Sequence, residues 1–230
     1  MSSKQKEKTN KKSRNVKTNI NIIHLKKFWN FVWNDNSLAS WAVSIVLAFV
    51  IIRFIFYPLI GLIVGTSMPI VAVISSSMEH PGEDWTQNPA YCKNNIYCLQ
   101  EEWYLEKGIT PNELQTFPFK NGFNKGDIMI IVGKKPSKIE IGDVIVFNAG
   151  KNYPIIHRVV AIHKTNTSEI YYETKGDNNP AQITASTINE KYILSENVKG
   201  VAKIKISYLG YIKIVAANGA IFMKNLITGA

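Results

Sequence analysis

Apolar and polar residues divide this 230-residue chain into three stretches. Up to about residue 27 the sequence is polar and shows no period. The stretch "SLASWAVSIVLAFVIIRFIFYPLIGLIVG" (37–65) is then almost continuously apolar, and Arg53 is the one charge between Leu38 and Val64. From residue 69 onward, short runs rich in β-branched and aromatic residues alternate with turn residues.

The middle stretch predicts a bilayer-crossing helix, which needs about 20 apolar residues. Leu38–Tyr57 supplies that number, Pro58 is a natural stop, and the span is bounded at 38–62. Trp29, Trp33 and Trp41 sit on its basic side, as interfacial aromatics do. A cleaved leader would have an apolar core of about 7–15 residues and a small-residue cleavage site just after it. This run is longer, so an uncleaved anchor is expected over a cleaved leader or a buried core helix. Arg53, near the outer end, can extend its charge toward headgroups along its apolar stem.

Six runs then read as strands: "PIVAVIS" (69–75), "DIMIIVG" (127–133), "DVIVFNA" (143–149), "PIIHRVVAIH" (154–163), "EIYYETK" (169–175) and "VAKIKIS" (201–207). No long helix-period segment interrupts them. The fold class is therefore mainly β, an antiparallel domain over 63–210 curled into a barrel or folded sandwich behind a single N-terminal transmembrane helix. Residues 79–125 carry Pro81, Pro89, Pro111 and Pro118 and little alternation, so they read as an inserted loop or small subdomain. Residues 211–230 are apolar but broken by Lys213, Gly219 and Lys224, as an interfacial segment or packed helix would be.

Charge changes this picture. The net charge of +10 suggests a nucleic-acid binder, but residues 1–27 hold nine Lys or Arg against one acid (Glu7), leaving +2 for the rest. The charge is a disordered tail within residues 1–37, not a basic groove. By the positive-inside rule that tail is cytoplasmic and the β domain lies outside. Nucleic acid is excluded as a partner, because the basic residues fall on the wrong side of the bilayer. Cys92 and Cys98 close the short loop "CKNNIYC" on the outer side, where a disulfide persists. Two free thiols or a metal half-site are the alternatives, although no further Cys and no nearby His pair would complete a zinc site. No metal or cofactor is expected.

The candidate chemistry begins with "VAVISSSMEH" (71–80), an apolar strand that ends in three serines. A serine hydroxyl needs a base to take its proton and donors for the oxyanion it creates. His157, mid-strand in "PIIHRVV", is a candidate base or a satisfied core histidine. His24 lies on the cytoplasmic side, and His80 reads as surface loop. His163 lies six residues after His157, on the same strand face by a two-residue period and about 20 Å along it.

Taken in order, "VAVISSSMEHP", "FNKGDIMIIVG", "IGDVIVFN", "PIIHRVVAIH" and "TKGDNNP" resemble the sequence boxes of type I signal peptidases. The likeness covers most of residues 45–210 apart from the insertion. It implies a signal-peptidase-like β domain and a membrane-anchored serine endopeptidase that removes signal peptides from secretory precursors at the outer face of a cell membrane. The implied partners are those precursors and the lipid bilayer, with the translocation machinery as a further candidate.

The resemblance also implies residue roles. Ser77, directly before Met78, would be the nucleophile, and Ser75 with the Ser77 backbone N–H would hold the oxyanion. Ser67 of "GTSMP" is a decoy, because the proline and apolar strand that should precede the serine box stand before Ser77. Histidine in "HRVV" makes His157 the base and implies the archaeal or ER branch, with an archaeal membrane preferred. Val71, Val73 and Ser75 would form the strand that pairs with substrate. Asp177 of the "GDN" box would be the acid, but the branch's usual second aspartate falls at Ile183. Either Asp177 orients His157, or Glu190 or another acid does so, or His157 works through backbone and water. A catalytically inactive, membrane-anchored binding module on the same fold is the alternative function.

Overall fold

The computed structural model describes residues 23–24, 26–150, 153–166, 168–185 and 187–209. The expectations for most of the basic tail and for 211–230 fall outside them. The chain divides into two units, Met1–Leu59 and Ile60–Ala230.

In the first unit, residues 26–34 are helical. A second helix, α1 (Leu38–Val64), begins where the Ser37 side chain accepts the Ser40 N–H at 3.2 Å. At 27 residues it is long and apolar enough to cross a membrane, the only such helix among the described residues. Pro58 does not end it. Residues Ile52–Phe56 widen into a π-helical turn in which the Tyr57 N–H reaches back to the Ile52 carbonyl. A wider turn relieves the clash between a proline ring and the preceding turn, and the helix resumes over Tyr57–Val64.

The elements of the second unit follow in order: β1 (Ile70–Ala72), β2 (Pro89–Tyr91), β3 (Tyr97–Leu99), α2 (Gln100–Glu106), α3 (Pro111–Thr116), β4 (Ile128–Val132), β5 (Val144–Phe147), β6 (Ile155–Lys164), β7 (Ile170–Lys175), β8 (Thr184–Ala185), β9 (Ile188–Asn189), β10 (Ile193–Leu194) and β11 (Val198–Ile206). Among the described residues, seven strands form one sheet in the order β1-β4-β11-β5-β6-β7-β10. Every neighbouring pair in it is antiparallel. The six strands read from the sequence all lie in this sheet, and the large antiparallel architecture is as expected.

The sheet is covered on both faces. Along β5, Val144 and Val146 pack with Met129, Ile131 and Met78 on one side. Ile145 and Phe147 pack with Val159 and Tyr172 on the other. This is why β5 is apolar at all four positions and fully buried. The inserted segment 79–125 has a third small core of its own, with Trp85, Trp103, Tyr104 and Leu114 around Val160 of β6. Its helix α3 is fixed by a capping box, in which Thr110 accepts the Glu113 N–H and the Glu113 side chain accepts the Thr110 N–H, with Pro111 in the first turn. The β2–β3 hairpin is closed by a Cys92–Cys98 disulfide with Cα atoms 5.9 Å apart.

Within the second unit, which begins at Ile60, the last turn of α1 is bonded to the sheet. The Gly133 N–H donates to the Val64 carbonyl at 2.7 Å, and the Thr66 hydroxyl donates to the Lys199 carbonyl at 2.5 Å. A side chain at Gly133 would overlap the Gly65 carbonyl. Gly65 itself has φ +69°, which suits glycine. Gly133→Ala is therefore expected to destabilise the second unit by about 3 kcal/mol. Urea unfolding of the detergent-solubilised chain measures this; a loss below about 1 kcal/mol would mean the junction yields easily.

Candidate active site

Strand β6 delivers two consecutive polar side chains, His157 and Arg158, to opposite faces of the sheet. His157 pairs across to Ile145 and Arg158 to Val144, so each polar residue faces an apolar partner on β5. Both side chains are buried, at 3% and 1% exposure. A buried imidazole and a buried guanidinium each need partners, and the rest of the site follows from how each finds them.

On one face, His157 Nε2 lies 2.9 Å from the Ser77 hydroxyl, and Nδ1 lies 2.5 Å from Glu190 Oε1. Glu190 is fully buried and follows β9. Its backbone is fixed on both sides: its N–H donates to the Ile183 carbonyl at 2.8 Å, and its carbonyl accepts the Thr174 N–H at 2.8 Å. Its carboxylate also accepts the Thr174 hydroxyl at 3.0 Å and the Ile183 N–H at 2.7 Å. A carboxylate among donors sets the imidazole proton on Nδ1 and leaves the Nε2 lone pair facing the serine. Hydroxyl, imidazole and carboxylate stand in file, an arrangement that can take a proton from the hydroxyl and return it.

Ser77 stands in a turn after β1 that is held by a second turn, Gly176–Asn178. The Asn178 N–H donates to the Ser77 carbonyl at 2.9 Å, and its side-chain amide donates to the Ser76 carbonyl at 3.1 Å. Met78, buried beside them, accepts the Asp177 N–H on its sulfur at 3.4 Å. A Cβ at Gly176 would lie 2.8 Å from the Ser77 carbonyl oxygen and 2.9 Å from His157 Nε2, so only glycine fits this approach. The Ser75 and Ser77 hydroxyls are 3.2 Å apart. Among the described residues the Ser77 N–H donates to no backbone carbonyl. Ser67, the alternative serine, is exposed in the link between α1 and β1.

Asp177 stands away from His157, on the opposite face of the sheet with Arg158. The guanidinium donates to it through Nε at 3.0 and 3.1 Å and through Nη2 at 2.6 Å. His80 Nε2 lies 2.9 Å from Oδ2, and the Tyr104 hydroxyl donates to Oδ1 at 2.8 Å. Burial alone would raise the Asp177 pKa, but Arg158 and His80 overcome it and hold the carboxyl well below the usual range. Burial, reinforced by the same carboxylate, pushes the Tyr104 phenol well up. The carboxylate on Nδ1 is thus Glu190, and the physical reason is the side-chain alternation that points residues 157 and 158 to different faces.

Two histidine expectations also change. His80 is not surface loop: its side chain is 5% exposed, stacked on Trp85 with ring centroids 4.1 Å apart, and held by Asp177 and the Lys120 carbonyl. His163 does not share the His157 face. A register shift between Val159 and Ala161 adds one residue to β6, and the two-residue period inverts beyond it. His163 pairs instead with Glu173, at 2.9 Å.

Lys175 is a site residue that the sequence reading did not single out. It is fully buried, and Nζ donates to the Gln100 side-chain oxygen at 2.6 Å and to the Gly176 and Asp177 carbonyls at 3.1 and 3.3 Å. Trp103 and Tyr104 lie under it, with ring centroids at 4.9 and 5.3 Å. Burial pushes its pKa from 10.5 down to about 7, against the pull of Asp177 and Glu190.

A cleft of about 380 Å³ opens at Ser77, with Ala72, Ile74, Tyr153, Ile156 and Ile183 among its walls. Strand β1 is an edge of the sheet. Pro69 and Val73 turn their backbone groups toward Ile131 and Asp127, so Val71 and Val73 face β4 and the free edge belongs to Ile70, Ala72 and Ile74. No group of three His, Cys, Asp or Glu side chains placed to hold a metal occurs among the described residues.

No family model matches the sequence. Over 95 residues, 40% of the chain, it is 35% identical to the signal peptidase complex catalytic subunit SEC11 of Saccharomyces cerevisiae (strain YJM789), covering 56% of that protein. Over 95 residues it is also 28% identical to the signal peptidase complex catalytic subunit SEC11C of Homo sapiens and of Canis lupus familiaris, covering 50% of each. The chain spans about half the length of the curated relatives it matches. It is related to the ER-type type I signal peptidases.

The Lys175 shift makes stability depend on pH. An unfolded lysine holds its proton to about 10.5, whereas this one releases it near 7. Between those values the unfolded state binds more protons, so this group makes stability rise with pH. Above pH 10 the trend reverses, because the buried Tyr104 and Tyr172 phenols, the latter raised to about 12, stay protonated after unfolded tyrosines ionise. The expected gain between pH 7 and 10 is on the order of 3 kcal/mol, absent in Lys175→Met. Denaturant titrations across that range measure it, and a flat wild-type profile would refute it.

Proposed function

We propose that the chain is a membrane-anchored serine endopeptidase that removes signal peptides from secretory precursors, with Ser77 as nucleophile, His157 as general base and Glu190 as the acid that orients it. The observation that carries this reading is the file Ser77 Oγ, His157 Nε2, Nδ1 and Glu190 Oε1, closed at 2.9 and 2.5 Å. The relationship to signal peptidase catalytic subunits supports the substrate class.

The steps follow from the geometry. Ser77 Oγ attacks the scissile carbonyl carbon as its proton passes to His157 Nε2. The Ser77 N–H and the Ser75 hydroxyl stabilise the oxyanion. The tetrahedral adduct collapses, the C–N bond breaks, and His157 gives the proton to the departing amine. Water, deprotonated by His157, then cleaves the acyl ester and restores the serine, while Glu190 stabilises the imidazolium in each half. Asp177 does not take part; paired with Arg158 it holds the turn that holds Ser77.

A precursor would add as an extended strand along the free edge at Ile70, Ala72 and Ile74, in place of the inward-bonded Val71 and Val73, with main-chain hydrogen bonds fixing register. The modest, apolar-walled cleft suits small side chains at the cleavage site. In this reading the basic N-terminus is cytoplasmic, α1 spans the cell membrane once, and the second unit works on the outer side. Ser77 follows the end of α1 by only 13 residues, which confines the enzyme's search to precursors held at that surface.

The test is cleavage of a synthetic precursor by the detergent-solubilised chain. Ser77→Ala and His157→Ala are expected to lower kcat by about 10⁴-fold or more, and Glu190→Gln by roughly 10³–10⁴. Asp177→Asn should instead lower the melting temperature, because it weakens the main charge partner of buried Arg158. Undiminished cleavage by Ser77→Ala would overturn the enzymatic reading in favour of a binding module on the same fold.

A further inference from the structure

The inserted segment 79–125 reaches the proposed reaction centre through one buried cation. Its helix α2 supplies Gln100, Trp103 and Tyr104, and these surround Lys175. Gln100 is itself fully engaged. Its oxygen accepts the Lys175 ammonium at 2.6 Å, and its amide donates to the Pro89 carbonyl at 3.1 Å and the Asn179 carbonyl at 3.0 Å. The remaining hydrogen bonds of the ammonium go to the Gly176 and Asp177 carbonyls, so both belong to the turn that clamps Ser77.

Among the described residues no carboxylate oxygen lies within ion-pair distance of Nζ. A buried lysine kept for stability alone would be expected to pair with an acid. Here the partners are two carbonyls whose position matters. With no room for even one added carbon between Gly176, the Ser77 carbonyl and His157 Nε2, movement of this turn is transmitted directly to the serine and the imidazole.

We propose that Lys175 is a positioning residue: its ammonium, seated on Gln100, Trp103 and Tyr104, fixes the Gly176–Asn178 turn and through it the alignment of Ser77 with His157. The inserted segment thereby governs turnover without touching substrate. This rests on the peptidase reading above.

The test uses the full-length, detergent-solubilised chain and a synthetic precursor. Lys175→Met is expected to lower kcat by about 30–100-fold with KM within threefold. Gln100→Met should have a similar effect, and the double variant should be no worse than Lys175→Met alone, because the pair acts as a unit. Leu114→Ala supplies the structural control. It empties part of the same small core without contacting the turn, so it should lower the melting temperature but leave kcat within twofold well below that temperature.

A second readout does not depend on activity. The ¹⁵N and ¹H resonances of the His157 ring should shift in Lys175→Met and Gln100→Met and stay in place in Leu114→Ala. Should Lys175→Met not fold, Gln100→Met carries the same expectations. Unchanged kcat and unchanged ring resonances in the folded variants would overturn the inference, as would an equal kcat loss in Leu114→Ala. Ser77→Ala, run in parallel, separates the two claims: if it cleaves like wild type the peptidase reading fails, whereas the ring resonances still report on alignment.

Discussion

Asn178 laces together two turns that lie far apart in sequence, donating its backbone N–H to the Ser77 carbonyl and its side-chain amide to the carbonyl of Ser76, 102 positions away. Most of the site depends on that contact. Ser77 belongs to no strand, so its hydroxyl has no ladder to hold it in front of His157. What holds it is a glycine-opened turn at the end of β7, and β7 is in turn fixed by the long pairing with β6. The imidazole on β6 and the clamp on β7 are thus parts of one rigid hairpin, and only the serine turn must be brought to them. This is an economical way to align groups to within a few tenths of an ångström, since one contact sets both the hydroxyl and its distance from the imidazole.

The buried charges divide the work by sheet face. On the face opposite the serine, Arg158, Asp177, His80 and Lys175 lie under the inserted segment, and among the described residues no buried side-chain polar atom lacks a partner. Isolated, each of these groups would cost several kcal/mol to bury. Together they hold the serine-clamping turn from behind, with Arg158 also gathering the Pro118, Phe119 and Gly142 carbonyls. On the serine face the carboxylate at the imidazole is Glu190, and its donors are the imidazole, a hydroxyl and one amide. Placing the two acids on opposite faces lets Asp177 pair with the guanidinium while Glu190 faces the imidazole.

How much of this could be read from the sequence depended on how local each cause was. The six strands of the large sheet were legible, because β-branched runs bounded by Gly-Asp turns carry their own signal, as at Gly126-Asp127 and Gly142-Asp143. Strand β10 has two residues, too few to alternate, and α2 and α3 are too short to show a helical period. The Thr110-Pro111…Glu113 cap was a usable sign of α3. Pro58 misled because a π turn is invisible to residue-by-residue propensities. His163 misled because one extra residue in β6 inverts every face assignment beyond it. Burial of His80 depends on Asp177, 97 positions away, and no local pattern reports such a contact.

Glu190 shows how a carboxylate can stand at the imidazole although the residue expected there is absent. The aspartate looked for at position 183 is isoleucine, yet that position still serves the site, through its backbone. The Ile183 N–H donates to Glu190 Oε2 and its carbonyl accepts the Glu190 N–H, so the segment around 183 and the residue after β9 form a reciprocal pair. The carboxylate arrives instead from the residue after β9, while the Ile183 side chain helps wall the cleft. The requirement imposed by the chemistry is an acceptor at Nδ1 with its other oxygen occupied by donors, and that requirement constrains a point in space more strictly than a position in the chain.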